Sequence, residues 1–251
     1  MKATFHSFPI FLLIGVLFSL NFSFAQEPER KIPKNPEGDA PAIKPEDMPR
    51  VEKIGETRFR MGQIEFDAKA KEIFIPAVVN KREGGPIEYV LVHEKGKVHE
   101  SILTTTASPL HLQIVTKLLK HKSGFGNVFD PMLAVEEQAG TDVENGDDFT
   151  LLIRWTPTGK KQMEQDLSEW ISDGETLEGL EPAPWTLTGS SVFRGSFSAE
   201  VEGSFIAVYL DPVALLNMTR KGAHMDERWG ANDKVIPEIG QKVTVVLKPQ
   251  S

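Results

Sequence analysis

Gly85-Pro86-Ile87-Glu88-Tyr89-Val90-Leu91-Val92-His93-Glu94-Lys95-Gly96-Lys97-Val98-His99-Glu100-Ser101-Ile102-Leu103-Thr104-Thr105 is the stretch on which the fold turns. Two runs rich in β-branched and aromatic residues, 87–93 and 97–105, flank Glu94-Lys95-Gly96, a polar turn signal, and predict an antiparallel hairpin. With a two- or four-residue turn, Val92 faces His99, Val90 faces Ser101 and Glu88 faces Leu103. Glu88, His99 and Ser101 then share one face, and Glu100 shares the other with Tyr89 and Leu91. Glu88 and His99 stand about 13 Å apart at about 3.3 Å per residue, too far for a direct dyad. A bulge or three-residue loop would exchange the two faces.

Downstream, Ser108 is a good N-cap, Pro109 a favoured first helical residue, and Gly124 lies past the end. A helix is predicted from Pro109 to about His121, with Leu110, Ile114 and Leu118 packed on the sheet and His111 inside the apolar arc, where a buried, neutral imidazole serving as a core hydrogen-bond group is expected. Upstream, 64–66, 73–75 and 77–79 read as strands around a polar turn at 67–71, with Pro76 interrupting or edging the second. Further strands are expected at 149–155, 185–188, 192–197, 204–210 and 242–247, and a short helix from Asp211 through Met218. Residues 160–171 suit either a helix or a strand. The expected class is α+β, mainly antiparallel β with two or three short helices.

The chain has 251 residues with 28 Lys+Arg against 36 Asp+Glu and a net charge of -8. That balance, with no concentrated basic run, argues against nucleic acid as a partner. The absence of cysteine excludes disulfides, iron–sulfur clusters, thiolate nucleophiles and Cys-built zinc sites.

Residues 1–25 carry Lys2, an apolar run from Pro9 to Leu20 and a small-x-small end at Ser23-Phe24-Ala25, the layout of a secretory signal peptide. The apolar run is too short to span a bilayer, so no transmembrane anchor is expected after cleavage. Residues 26–50 hold Pro28, Pro33, Pro36, Pro41, Pro45 and Pro49 among charged neighbours and are expected to form a disordered, partly extended linker. A single domain is expected over 51–249, and the location is read as secreted or periplasmic.

The quoted stretch resembles the signature of YdjY-type domains, bacterial domains without an assigned activity. So do Phe149-Thr150-Leu151-Leu152-Ile153-Arg154-Trp155, Glu169-Trp170-Ile171, Pro184-Trp185-Thr186-Leu187-Thr188-Gly189-Ser190 and Asp226-Glu227-Arg228-Trp229-Gly230-Ala231-Asn232. The resemblance runs in order from Ile54 to Lys248 and implies an envelope location without implying a reaction. Some relatives carry a ferredoxin-like description, which does not transfer to a chain without cysteine.

His93-Glu94 and His99-Glu100 supply imidazole and carboxylate, which suit metal ions, but no HExxH is present. His99 could meet His111 if the helix lies on that side of the sheet. On the predicted register Glu100 needs a partner if buried, and Arg154 is the expected one. Asp142-Val143-Glu144-Asn145-Gly146-Asp147-Asp148 resembles a calcium loop only loosely, with Gly146 fifth and Ile153 where glutamate belongs. No GxSxG marks a nucleophile. Trp185, Asp226, Trp229 and Asn232 are candidates for a ligand rim. Asn217-Met218-Thr219 is a formal glycosylation sequon.

These readings lead to a non-catalytic domain that binds an envelope protein or a small-molecule ligand, with no cofactor implied. The alternative is an envelope hydrolase or metal-dependent enzyme centred on His99, Glu100 and His111. The candidate polar cluster is Glu88, His99, Glu100, Ser101, His111 and Arg154.

Overall fold

Short apolar runs punctuated by Gly, Pro and Asp fold as strands throughout residues 50–124 and 146–250, the part of the chain described by the computed structural model. In chain order these are β1 (Val51–Lys53), β2 (Arg58–Met61), β3 (Ile64–Asp67), β4 (Glu72–Val79), β5 (Tyr89–His93), β6 (Ser101–Thr105), β7 (Asp148–Trp155), β8 (Met163–Asp166), β9 (Ile171–Asp173), β10 (Trp185–Leu187), β11 (Val192–Phe193), β12 (Ser196–Phe197), β13 (Ser204–Ala207), β14 (Leu216–Met218), β15 (Trp229–Ala231) and β16 (Lys242–Pro249). Among the described residues two α-helices accompany them, α1 (Pro109–Leu118) and α2 (Ser198–Glu202). The segments read as leader (1–25) and linker (26–50) lie outside the described residues, apart from Arg50, as does 142–145 of the acidic loop.

The strands β4, β16, β7, β10, β14, β13, β5 and β6 pair in that order, and β6 returns to β4 through Val78↔Thr104 and Val79↔Leu103. Eight strands therefore close a barrel, which removes most free edges. The expected α+β domain of antiparallel sheets is corrected to a mostly β structure built on this barrel. Two of its pairings, β5 with β6 and β13 with β14, are parallel. Strands β1, β2 and β3 extend one side as an antiparallel meander, and β8 flanks β7.

The predicted hairpin is the largest departure. Tyr89 faces Ser101 and Leu91 faces Leu103 in a parallel register, so Val92 is opposite Thr104 and not His99. Residues 94–100 run back along the barrel before β6 begins, tightening through a 3-10 turn at Val98–Glu100. Retracing four rungs needs only about 13 Å, within reach of seven residues at about 3.3 Å each. Gly96 allows the tight passage, because a Cβ there would lie 2.7 Å from Glu202 O.

Burial alternates along β7, where Phe149, Leu151, Ile153 and Trp155 face the core and Thr150, Leu152 and Arg154 face outward. In β4, Ile73, Ile75, Ala77 and Val79 are buried, and Pro76 and Val78 are exposed. Pro76 does not break β4. It pairs with Thr244 of β16 on one side, and on the other it sits in the gap between β3 and β6, where a missing N–H loses no ladder bond.

Helix α1 begins as predicted, with Ser108 Oγ accepting from His111 N at 3.3 Å and Pro109 at the first turn. It ends earlier, because Lys120 (φ 61) takes the left-handed position expected of Gly124. The core face is Leu112, Val115, Thr116 and Leu119, while Leu110 and Leu118 are exposed. The predicted face was rotated because the whole apolar arc is wider than the strip the barrel covers. The predicted helix at 211–218 is replaced by a turn in which Asp211 Oδ1 accepts from Val213 N at 2.8 Å, followed by β14. Residues 160–171 resolve as β8, a 3-10 turn at Leu167–Trp170 and the start of β9.

Candidate functional site

The parallel register scatters the predicted polar cluster. His99 is on the 3-10 turn with its side chain 74% exposed, and its Nε2 lies 3.0 Å from Glu100 Oε1. His111 is half-buried on α1 and its ring packs against Gly62, where a Cβ would come within 2.4 Å of Nδ1. Among the described residues no hydrogen bond reaches that ring, so the expected buried hydrogen-bonding histidine is not found. His121 fills that role instead: its Nδ1 lies 3.1 Å from Asp147 Oδ2 and its Nε2 lies 3.1 Å from Lys71 O. No described contact joins His99 or Glu100 to His111.

Arg154 does not partner Glu100. It pairs with Glu164 on β8. Ser101 is buried and donates to Leu103 O at 2.8 Å. Glu88 adjoins Glu100, since Glu88 N donates to Glu100 O at 3.1 Å one rung before Tyr89↔Ser101. Burial, and then the Glu100 charge, raises the Glu88 carboxyl above its ordinary pKa.

The rim residues also separate. Trp185 and Trp229 are buried in the core, Asp226 is exposed, and Asn232 is buried, donating to Glu169 O at 2.8 Å. The sequon asparagine, Asn217, is fully buried; its Nδ2 donates to Thr188 Oγ1 at 2.7 Å and its Oδ1 accepts from Asp211 N at 2.8 Å.

A polar chain absent from the sequence reading forms instead around Tyr89. Its hydroxyl donates to Asp211 Oδ2 at 2.7 Å and accepts from Lys97 Nζ at 2.7 Å, while Lys97 also lies over the ring at 5.0 Å. Burial, followed by the Asp211 charge, pushes the Tyr89 phenol far up, so it stays protonated and acts as a fixed donor. Val98 packs on Tyr89, Val92, Ala207 and Ala214, a small apolar cluster apart from the main core. These contacts fasten the 94–100 crossover to β5 and β13.

The open concavity lies elsewhere, on the outer face of β4, β16 and β7. Its floor is a rung, Pro76↔Thr244↔Arg154, continued to Glu164 of β8. A groove of about 960 Å³ runs over it, with Thr104, Thr156, Thr158 and Gln162 on its walls. An extension of about 330 Å³ shares Pro76, Arg154 and Thr244 and reaches Arg58, Glu65 and Phe74. Arg58 and Arg154 flank the Phe74 ring at 3.8 and 5.8 Å. Glu65 accepts from Arg60 at 2.6 Å and Arg58 at 3.0 Å, and these guanidiniums hold its carboxyl below the usual range.

The guanidiniums of Arg58 and Arg154 are thus compensated, Glu94 and Lys242 line the groove without an ion pair among the described residues, and the hydroxyls of Thr104, Thr156, Thr158 and Thr244 and the Gln162 amide are left uncommitted by the described residues. Such groups can bind hydroxyl or amide ligands with directional hydrogen bonds. Of this groove's polar lining, sequence reasoning singled out Arg154 and, beside His93, Glu94. The outward positions of 242–249 and 148–155 could have revealed the rest, once both strands were placed side by side.

Among the described residues no group of three or more His, Asp or Glu side chains is arranged to hold a metal ion. The model of the YdjY domain matches residues 64–248, and the chain belongs to that family. No match was found among curated proteins or solved structures.

Proposed function

We propose that this YdjY-domain chain is a non-catalytic binding domain of the cell envelope that holds a neutral, hydroxyl- or amide-bearing ligand in the groove over Pro76, Thr244 and Arg154. The observation that carries this reading is the row of uncommitted threonine and glutamine groups along one continuous groove of about 960 Å³. Arg58 and Arg154 are spent on carboxylates, and the two charges that remain in the lining, Glu94 and Lys242, cancel in sum, so recognition falls to neutral hydrogen bonds. The secreted or periplasmic location rests on the leader pattern of residues 1–25. The ligand is a small molecule or a segment of an envelope partner offering the same groups.

The hydrolytic alternative draws less support, because His99 and His111 sit on different elements without a shared contact and neither lines the groove. Titration calorimetry with neutral tetrasaccharides and with a glutamine-rich peptide tests the proposal. Binding is expected to disappear in Thr244→Trp, which fills the floor, and bound ligand is expected to be recovered with unchanged mass. Binding that survives Thr244→Trp, or a cleaved ligand, would overturn it.

A further inference from the structure

The hairpin formed by β11 and β12 stands apart from the barrel sheet, joined at its base through Ser198 N donating to Ser191 O at 2.9 Å. Successive residues of a strand point to opposite faces, so a hairpin lying on a body buries one of two neighbours. Here Val192 and Phe193 are 70% and 66% exposed, so both faces are open to solvent toward the tip, while Phe197, opposite Val192, packs on the core at the base. Arg194 (φ 50) and Gly195 (φ 77) make the turn, and the Arg194 guanidinium lies 5.0 Å from the Phe193 ring centre.

The end of α1 borders the base of this hairpin. Gly124 N donates to Leu187 O at 3.0 Å, and a Cβ on Gly189 would lie 2.9 Å from Ser123 Cβ. That end presents Lys117, Lys120 and Lys122 around Leu118, itself 51% exposed. Among the described residues none of these lysines, nor Arg194, is in an ion pair. Two carboxylates lie nearby against these four cations, each held by neutral donors or a histidine. Glu200 accepts from Ser108 Oγ and Leu110 N, and Asp147 accepts from Lys122 N and contacts His121. A chain of net charge -8 therefore shows a local cationic, apolar face here.

We propose that this face docks on an anionic phospholipid surface, with Val192 and Phe193 entering the headgroup region and Arg194 and the three lysines against lipid phosphates. A flat protein partner could cover only one face of the hairpin, whereas a bilayer interface surrounds both. The arginine at the tip keeps its charge among phosphates while its stem lies along the Phe193 ring. The docking leaves the groove over Thr244 free, because none of these residues lines it.

The test uses protein beginning at residue 26, which retains the whole described part and lacks the apolar leader. Flotation with phosphatidylcholine–phosphatidylglycerol vesicles is expected to carry the protein, and pure phosphatidylcholine vesicles much less of it. Phe193→Ser, at an exposed position that leaves folding intact by circular dichroism, is expected to lower partition about tenfold or more. Each of Lys117→Gln, Lys120→Gln and Lys122→Gln is expected to lower it about fivefold on the anionic vesicles. Because the chain has no cysteine, Val192→Cys accepts a single environment-sensitive dye, whose emission is expected to shift blue only with anionic lipid. No partition, equal partition into both vesicles, or partition indifferent to Phe193→Ser overturns the proposal. A blue shift without lipid that grows with protein concentration also overturns it and assigns the face to a second copy of the chain.

Discussion

Tyr89 Oη sits between Asp211 Oδ2 and Lys97 Nζ, 2.7 Å from each, so one phenol ties the start of β5 both to the turn before β14 and to the crossover that precedes β6. Removing that oxygen with Tyr89→Phe leaves a largely buried carboxylate one donor short. A loss of about 1 to 3 kcal/mol in urea unfolding is expected. Lys97→Met, which keeps the aliphatic stem and exposes no new buried charge, is expected to cost about 1 kcal/mol or less. Equal losses from the two would show that Asp211 does not depend on the phenol.

The orientation of α1 can be tested by truncation. Leu112→Ala removes a fully buried side chain and should cost about 2 to 5 kcal/mol, whereas Leu118→Ala should fall within about 0.5 kcal/mol. Thermal unfolding of the two variants side by side decides it, and the reverse order would return the helix to the face expected from sequence.

Glu88 supplies a pH dependence with a definite sign. Its folded pKa is raised, so the native state binds more protons than the unfolded chain just above the ordinary glutamate range. The contribution of this group is therefore most favourable below the unfolded value and is lost as pH rises through the folded value. Glu88→Gln should make the protein more stable at neutral pH and flatten that part of the stability curve. A variant less stable than wild type at neutral pH would contradict the assignment.

Asp173 has the opposite sign. The Arg228 guanidinium, 2.6 Å from Oδ2, holds its carboxyl below the usual range. Stability from this pair is present above the unfolded aspartate value and is lost as pH falls through the folded one. Asp173→Asn should cost about 1 to 3 kcal/mol at neutral pH, and the difference from wild type should narrow in acid. An equal difference at all pH values would mean that the amide is disfavoured for its shape and not its charge.

The sequence made the strands at 64–67, 148–155, 185–187 and 242–249 legible because each is an apolar run or an alternation bounded by turn residues. The start of α1 was legible because Ser108 and Pro109 act within one turn of chain. Direction of pairing was not, because Glu94-Lys95-Gly96 satisfies a hairpin turn and the first step of a return crossover equally well. What separates them is the burial of Val98 against Ala207 and Ala214, more than a hundred residues away. The candidate groove was hidden for the same reason: Pro76, Thr244 and Arg154 become neighbours only when β16 inserts between β4 and β7. Trp229 was read as a rim because its neighbours are charged, yet Arg228 turns to Asp173 and the indole is buried.

That insertion of β16 bears on the order in which the protein can be made. β16 pairs with β4 from Lys242↔Val78 to Leu247↔Ile73, and with β7 from Val243↔Trp155 to Pro249↔Phe149. Until residues 242–249 have left the ribosome, β4 and β7 have no strand between them and the ring stays open. Pairings so distant in sequence form late and slowly. The chain therefore emerges with its central contacts waiting on residues 242–249, and the barrel can lock only once that strand is free to insert.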